Sequence, residues 1–385
     1  MLWRRATCFF IVIIVVMFNV TAGIRHVEAT DSSLPEIQGK AAILIDEGSG
    51  RVLYQKNANR RMSPASLTKI MTALLVIEDD DIDQRVHISK RAAETGESSI
   101  WLEAGETLSR RELLYALMLS SANDAAVALA ESVSGTQEKF VQKMNTRARQ
   151  LGLKNTHFCN PHGLEAPGHY TTAYDLAFLT RQAMTDPLFQ KVVATRAMEI
   201  PWAGHPWNRQ LFNKNRLLYR YRGAIGVKTG YTKRAGNCLV GAAQRGPLKL
   251  IVVVLNSSQV YEDAEKLLDY AFVRYQGYAI KLDEKHLKVN VKGGRSRDVR
   301  LNPERDVVVA VTPSEKKLLT YRVSVPGSVR APVKRGAALG SIRILLKGKE
   351  IGSVNLLARS EVGRRPPLWI RLVAGIRLLF HRIFG

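Results

Sequence analysis

The chain has 385 residues, 46% hydrophobic and 24% charged, a globular composition that excludes a disordered protein and leaves room for two domains around a large apolar core. Its 57 Lys and Arg against 34 Asp and Glu give a net charge of +23, which calls for an anionic partner, either nucleic acid or a charged surface. Residues 276–385 hold 23 of the basic and 8 of the acidic residues, and these alternate with aliphatics or gather at the C-terminus without interleaved stacking aromatics, which argues against nucleic acid.

The N-terminus opens with Met1-Leu2-Trp3-Arg4-Arg5, continues in an apolar run over residues 8–18 and leaves through Val20-Thr21-Ala22. Charge, apolar stretch and small-residue exit predict a secretory signal over residues 1–29, cut after Ala22 or Ala29. The run is shorter than the roughly 20 apolar residues of a comfortable span, and an uncleaved anchor stays open. Export leaves Cys159 and Cys238, too few for a disulfide framework; both read as small buried residues, and whether they pair stays open. His157 and His162 lack neighbouring carboxylates or cysteines at ligand spacing, so neither a metal nor a cofactor is expected.

The β-rich runs Ala41–Asp46 and 51–55, joined by Glu47-Gly48-Ser49-Gly50, predict a hairpin. A helix follows, with Pro64 near its first turn, Ser66 and Lys69 three apart on one face, and an apolar stripe of Ile70, Met71, Leu74 and Leu75. Residues 110–119 and 123–133 read as buried helices, with Ser120, Ser121 and Ala122 in the break. Helices at 139–151 and 172–184 flank a loop rich in Pro, Gly and His at 160–169. Strands at 224–229, 236–243 and 249–255 precede a helix at 261–275. This order predicts an α+β fold for residues 33–277, its two ends pairing in one antiparallel sheet and the Lys228 strand bordering a helical cluster.

Alternation at 287–291 and 321–325, and in a hairpin of 342–346 with 351–356, predicts a separate antiparallel β sandwich over residues 280–360. In the tail, residues 364–385, Arg371, Arg377, His381 and Arg382 lie opposite a face bearing Trp369, Leu372, Ile376 and Phe380. That pattern predicts an amphipathic helix lying on an anionic membrane surface; the alternative is a helix docked on the protein's own core.

Three short motifs carry the chemistry: Ser66-Leu67-Thr68-Lys69, Ser121-Ala122-Asn123 and Lys228-Thr229-Gly230. A serine hydroxyl becomes a nucleophile when a base takes its proton, and a lysine one turn away serves if burial and neighbouring positive charge lower its pKa. Lys69 is the candidate base, Lys228 the source of charge, Ser121 the relay that passes the proton to a leaving amine, and Asn123 the residue that orients the substrate amide. Gly230 leaves room for a peptide to lie along the strand, and Thr229 offers its hydroxyl to a terminal carboxylate. The backbone amides of Ser66 and Tyr231 are candidates for an oxyanion hole.

Together the motifs resemble the SxxK, SxN and KTG set of penicillin-binding proteins and class A β-lactamases. The runs Pro64-Ala65-Ser66-Leu67-Thr68-Lys69-Ile70-Met71-Thr72, Ser121-Ala122-Asn123-Asp124-Ala125-Ala126, Asn160-Pro161-His162-Gly163-Leu164 and Gly226-Val227-Lys228-Thr229-Gly230-Tyr231-Thr232 are similar to the D-alanyl-D-alanine carboxypeptidases among the low-molecular-mass penicillin-binding proteins. The similarity runs from about Ala41 to the C-terminus. It implies a β-lactamase/transpeptidase-like domain, a β-rich second domain and a membrane anchor. It also implies removal of the terminal D-alanine from peptidoglycan stem pentapeptides through an acyl-enzyme on Ser66, at the outer face of the cytoplasmic membrane, with β-lactams acylating the same serine. No Glu followed four residues later by Asn lies between Ser121 and Lys228, so the deacylating carboxylate of a class A β-lactamase has no candidate.

The sequence departs from the pattern at Tyr231, where some relatives carry histidine. It departs again at Lys214, in Asn213-Lys214-Asn215, which stands where an arginine helps hold the substrate carboxylate. Arg216 is a second candidate for that task, and Lys214 as a plain surface lysine is a third reading. Trp101 and His162 read as packing residues. Endopeptidase cleavage of cross-links would use the same site, and a silent wall-binding scaffold would keep the same fold.

Overall fold

The computed structural model describes residues 34–283 and 287–365; the expected signal segment and terminal amphipathic helix fall outside the described residues. β1 (Ala41–Asp46) and β2 (Val52–Lys56) form the predicted hairpin, its turn tied by the Asp46 carboxylate, which accepts from the amides of Gly48 and Ser49. A 3-10 turn, Ala65–Thr68, runs into α1 (Lys69–Ile77). Eight of the nine α1 residues are buried, so this helix is surrounded and forms the centre of the helical cluster.

Next come α2 (Lys90–Ala93) between the paired strands β3 (Arg85–His87) and β4 (Thr107–Ser109). α3 (Arg110–Tyr115) starts in a capping box of Ser109 and Glu112, then passes through a π turn, Ala116–Ser120, where the sequence predicts one continuous helix. α4 (Asn123–Ser134), α5 (Gln137–Gln150) and α6 (Ala173–Ala183) follow as expected. α7 (Pro187–Ala194) and the hairpin of β5 (Ala197–Ile200) with β6 (Arg209–Phe212) have no counterpart in the sequence reading. α8 (Leu217–Arg220), β7 (Ala224–Thr232), β8 (Gly236–Arg245), β9 (Leu248–Leu255) and α9 (Val260–Arg274) complete this part.

The main sheet has the order β2-β1-β9-β8-β7, antiparallel throughout, so the two ends of the segment do meet in one sheet. Along β1, Ala41, Ile43 and Ile45 join the core shared with the helical cluster, while Ala42 and Leu44 join Leu267 and Leu268 of α9 on the opposite face. Coverage on both faces explains why β1 and β9 are apolar at nearly every position. β7, which carries Lys228, is the edge strand nearest the Ser66 turn.

Beyond α9 the described residues form strands, apart from a 3-10 turn at Glu315–Leu318. β10 (Gln276–Ala279) pairs with β13 (Val308–Val311). β11 (Lys288–Lys292), β12 (Asp298–Pro303), β14 (Leu319–Ser324), β15 (Ser328–Arg330), β16 (Ala338–Leu346) and β17 (Lys349–Ala358) make a second sheet, ordered β14-β16-β17-β12-β11-β15. One pair departs from the antiparallel expectation: β11 and β15 run parallel, which distance along the chain permits because no tight turn joins them. The β1–β2 turn seats this region. Arg305 donates to the Glu47 carboxylate at 2.9 Å, Ala310 N to Asp46 at 3.0 Å, and Arg181 to the Ser353 carbonyl at 3.0 Å.

Candidate active site

Ser66 sits in the 3-10 turn directly after Ala65, whose φ is +48°. Thr68 fastens the turn: its hydroxyl donates to the Ala65 carbonyl at 2.9 Å and lies 2.9 Å from His169 Nε2. His169 Nδ1 accepts from the Cys159 amide at 3.2 Å, so the ring proton resides on Nε2 and is donated to Thr68. Two glycines let other segments close on the same turn. A Cβ on Gly163 would lie 1.9 Å from the Ala65 carbonyl oxygen, and one on Gly230 would lie 3.1 Å from the Ser66 nitrogen.

Lys69 is fully buried. Its Nζ lies 3.0 Å from Ser66 Oγ, 2.7 Å from Asn123 Oδ1 and 2.7 Å from the His162 carbonyl oxygen. The Asn123 amide is oriented by its Nδ2, which donates to the Gly96 carbonyl at 2.9 Å. The loop that presents the His162 carbonyl is knit by Asn160, which accepts from Gly163 N at 2.6 Å and donates to the Leu164 carbonyl, and by Thr72, which donates to the Pro161 carbonyl. Burial drives the Lys69 amine well below the usual lysine range; Lys228 and then Lys214 push the same way, while Asp124 and Glu97 oppose them. His162 does pack as a side chain, its basicity lowered to about 3 by burial and by Lys69. Its carbonyl oxygen is the atom that meets Lys69, and no side-chain motif advertises it.

Lys228 is 1% exposed and donates to the Thr229 carbonyl at 3.0 Å. Burial first, then the charge of Lys214, lowers its pKa to about 7. Ser121 closes the π turn in a left-handed conformation at φ +62° and is 5% exposed. The SxN motif meets Lys69 through Asn123, and Ser121 is not among the partners of that amine. At Gly230 the missing side chain lets the Ser66 turn approach, since a Cβ there would also lie 3.2 Å from the Ala65 Cβ and 3.3 Å from the Leu67 nitrogen. The outer edge of β7 has no strand partner among the described residues. Thr229 is half-buried and Tyr231 is 63% exposed.

Lys214 follows directly on Asn213, whose amide donates to the Val193 and Thr195 carbonyls, and its own N–H donates to the Leu119 carbonyl at 3.1 Å in the π turn. It acts electrostatically on both buried lysines, whereas Arg216 is not among the charges that shift either. Trp101 is not a packing residue: it is 72% exposed, at φ +56°. Cys159 and Cys238 are both free thiols. Cys238 is buried within β8, its thiol pushed up to about 11. A cavity of about 900 Å³ lies in the β region beside Leu301 and Arg359 and holds none of the motif residues.

A serine hydroxyl against a buried, depressed lysine amine, with a second such lysine on an adjoining strand edge, is equipment for acyl transfer. Residues 28–259 match the family described as D-alanyl-D-alanine carboxypeptidase, and residues 279–364 match the one described as penicillin-binding protein 5, C-terminal domain. The chain belongs to the D-alanyl-D-alanine carboxypeptidase family. It is 35% identical over 337 residues to the D-alanyl-D-alanine carboxypeptidase DacF of Bacillus subtilis, covering 84% of this chain and 86% of that protein. To DacC of Escherichia coli it is 33% identical over 375 residues, 91% of this chain and 90% of the other. Among solved structures, penicillin-binding protein 5 of Haemophilus influenzae aligns with a TM-score of 0.66 at 28% identity, over 87% of this chain and all of that one. A mutant of the Streptomyces K15 DD-transpeptidase aligns with a TM-score of 0.60 at 37% identity, over 62% of this chain and all of that one. The enzyme is a serine-type D-Ala-D-Ala carboxypeptidase of the low-molecular-mass penicillin-binding type, with an α+β penicillin-binding part followed by a β domain.

Proposed function

We propose that Ser66 is the residue acylated and that Lys69, as a neutral amine, is its base. The observation that carries this reading is the set of three oxygens around Lys69 Nζ. Asn123 Oδ1 and the His162 carbonyl can only accept, so they claim both hydrogens of a neutral amine. The remaining lone pair then meets Ser66 Oγ, which holds the one proton left to share, at 3.0 Å. Attack by Oγ on the penultimate D-alanyl carbonyl sends the Ser66 proton to Lys69, and Ser121 passes it to the departing amine. The amides of Ser66 and Tyr231 receive the oxyanion, while Lys228, Thr229 and Lys214 hold the terminal carboxylate. Water then releases the shortened peptide from Ser66.

The substrate in this reading is the stem pentapeptide of peptidoglycan, laid along the free edge of β7 with Asn123 orienting its amide; β-lactams occupy the same place and acylate Ser66. The chain is organised as a signal over residues 1–29, a peptidase domain over 33–277, a β domain over 280–360 and an amphipathic anchor over 364–385. Exported, it works at the outer face of the cytoplasmic membrane, held peripherally on anionic lipid by its basic C-terminal part. None of the described helices is long and apolar enough to cross a membrane. Ser66→Ala is expected to abolish both covalent labelling by penicillin and release of D-alanine from a stem pentapeptide. Labelling that survives the substitution would place the nucleophile elsewhere.

A further inference from the structure

A groove of about 340 Å³ is walled by Trp101, Trp202 and Phe212, and shares Ser120 and Lys214 with the motif-bearing segments. Trp101 and Phe212 are 72% and 62% exposed. The backbone holds Trp101 out in solvent. Ile100 N and Leu102 N each donate to the buried Asp124 carboxylate at 3.1 Å, and Arg209 donates at 2.9 Å to the carbonyls of both Ile100 and Trp101. Arg209 is itself buried, paired with Glu106 through two bonds of 2.8 and 2.9 Å, and its guanidinium lies 4.5 Å from the Trp202 ring centroid. Trp202 in turn donates to Glu103 at 3.0 Å. A bulky residue fixed at positive φ and left exposed by surrounding locks signals use rather than packing.

Release of D-alanine makes no use of these walls, because its side chain is a methyl group. Yet the groove is lined by Ser120, the chain neighbour of the relay Ser121, and by Lys214, a cation suited to the leaving residue's carboxylate, so it extends from the leaving-group side of the site. We propose that it receives the side chain of a leaving residue larger than alanine, and that the enzyme cleaves D-alanyl-D-residue bonds whose terminal residue is large and apolar. The inference rests on the acyl-transfer reading of Ser66. The reaction is otherwise the same: the D-alanyl C–N bond breaks as the Ser66 ester forms, the amine leaves with the relayed proton, and water hydrolyses the ester.

The test compares kcat/KM of the purified full-length enzyme for two acylated tripeptides, one ending in D-Ala-D-Ala and the other in D-Ala-D-Leu. The wild type is expected to cleave both. Trp101→Ala should lower the D-Leu to D-Ala ratio by tenfold or more, on the scale at which apolar pockets discriminate, and Trp101→Phe should keep the ratio near the wild-type value. No cleavage of the D-Leu peptide, or a ratio that Trp101→Ala moves by less than about tenfold, overturns the proposal. Penicillin labelling of Ser66 separates two failures. Labelling with either of those results overturns the groove alone, whereas loss of labelling and of all turnover overturns the site and the groove with it.

Discussion

Gly163→Ala tests whether the loop before α6 sets the geometry of the nucleophile. The added Cβ would stand 1.9 Å from the Ala65 carbonyl oxygen, 2.5 Å from its carbon and 2.9 Å from Thr68 Oγ1, and Gly163 has φ +93°. The backbone strain alone costs about 1–2 kcal/mol. Opening the contact from 1.9 Å to 3.0 Å moves one backbone against another by about 1 Å, a displacement that costs on the order of 100-fold in rate when it reaches reacting groups. Here it reaches them from both sides, because the loop carries the His162 carbonyl that binds Lys69 and Ala65 precedes Ser66. The expected result is a drop of about 100-fold in the second-order rate of penicillin acylation, together with a lowered thermal midpoint. Gly135→Ala is the control. It imposes a similar positive φ, +76°, with nothing within 4 Å of the new Cβ, so it should lower stability by about 1 kcal/mol and leave acylation alone. A folded Gly163→Ala enzyme that acylates at the wild-type rate would refute the claim that this loop holds the Ser66 turn.

The pH dependence follows from the two buried lysines. Lys69 must be neutral to act, so penicillin acylation should fall as pH is lowered and the amine protonates, with burial holding that fall well below the ordinary lysine range. Lys228→Met removes a neighbouring charge that depresses Lys69 and should move that fall to higher pH, which a pH–rate profile reads directly; an unmoved acid limb would count against the coupling. For stability, Lys228 is lowered to about 7 in the folded chain from 10.5, so the unfolded chain binds the extra proton between these values. Its contribution is therefore fully present above the unfolded value and is lost as pH falls toward 7, and the urea midpoint should rise from pH 7 to 9 more steeply in the wild type than in Lys228→Met. A chain lacking residues 366–385 should retain D-alanine release and lose binding to anionic vesicles; vesicle binding that persists would assign the anchor to the N-terminal segment.

The elements easiest to read along the chain are those whose surroundings are uniform. β1, β8 and β9 are covered on both faces and so show near-continuous apolar runs, and α4 carries an unbroken series of small buried residues. α7 escapes notice because its apolar stripe of Phe189, Val192 and Val193 spans only eight residues, and the β5–β6 hairpin because Ile200 is the single buried residue of β5. The π turn before Ser121 looks like ordinary helix in sequence, since it differs only in which carbonyl each amide reaches. The parallel pairing of β11 with β15 leaves no local mark either.

By itself the sequence determined the chemistry available: a serine three residues before a lysine, an SxN, a KTG, and the order of strands and helices that carries them. These are properties of residue type and spacing, and they survive in a one-dimensional string. Only the tertiary structure decided that Asn123 and the His162 carbonyl, 54 and 93 residues from Lys69, are the groups that occupy its amine. It also decided that Gly230 and Gly163 serve the Ser66 turn, that Lys214 biases both buried lysines, and that Trp101 faces solvent. The physical reason is common to all of them. Burial, electric fields and the position of a backbone carbonyl depend on distances through space, and those distances come into being only when remote segments of the chain close on one another.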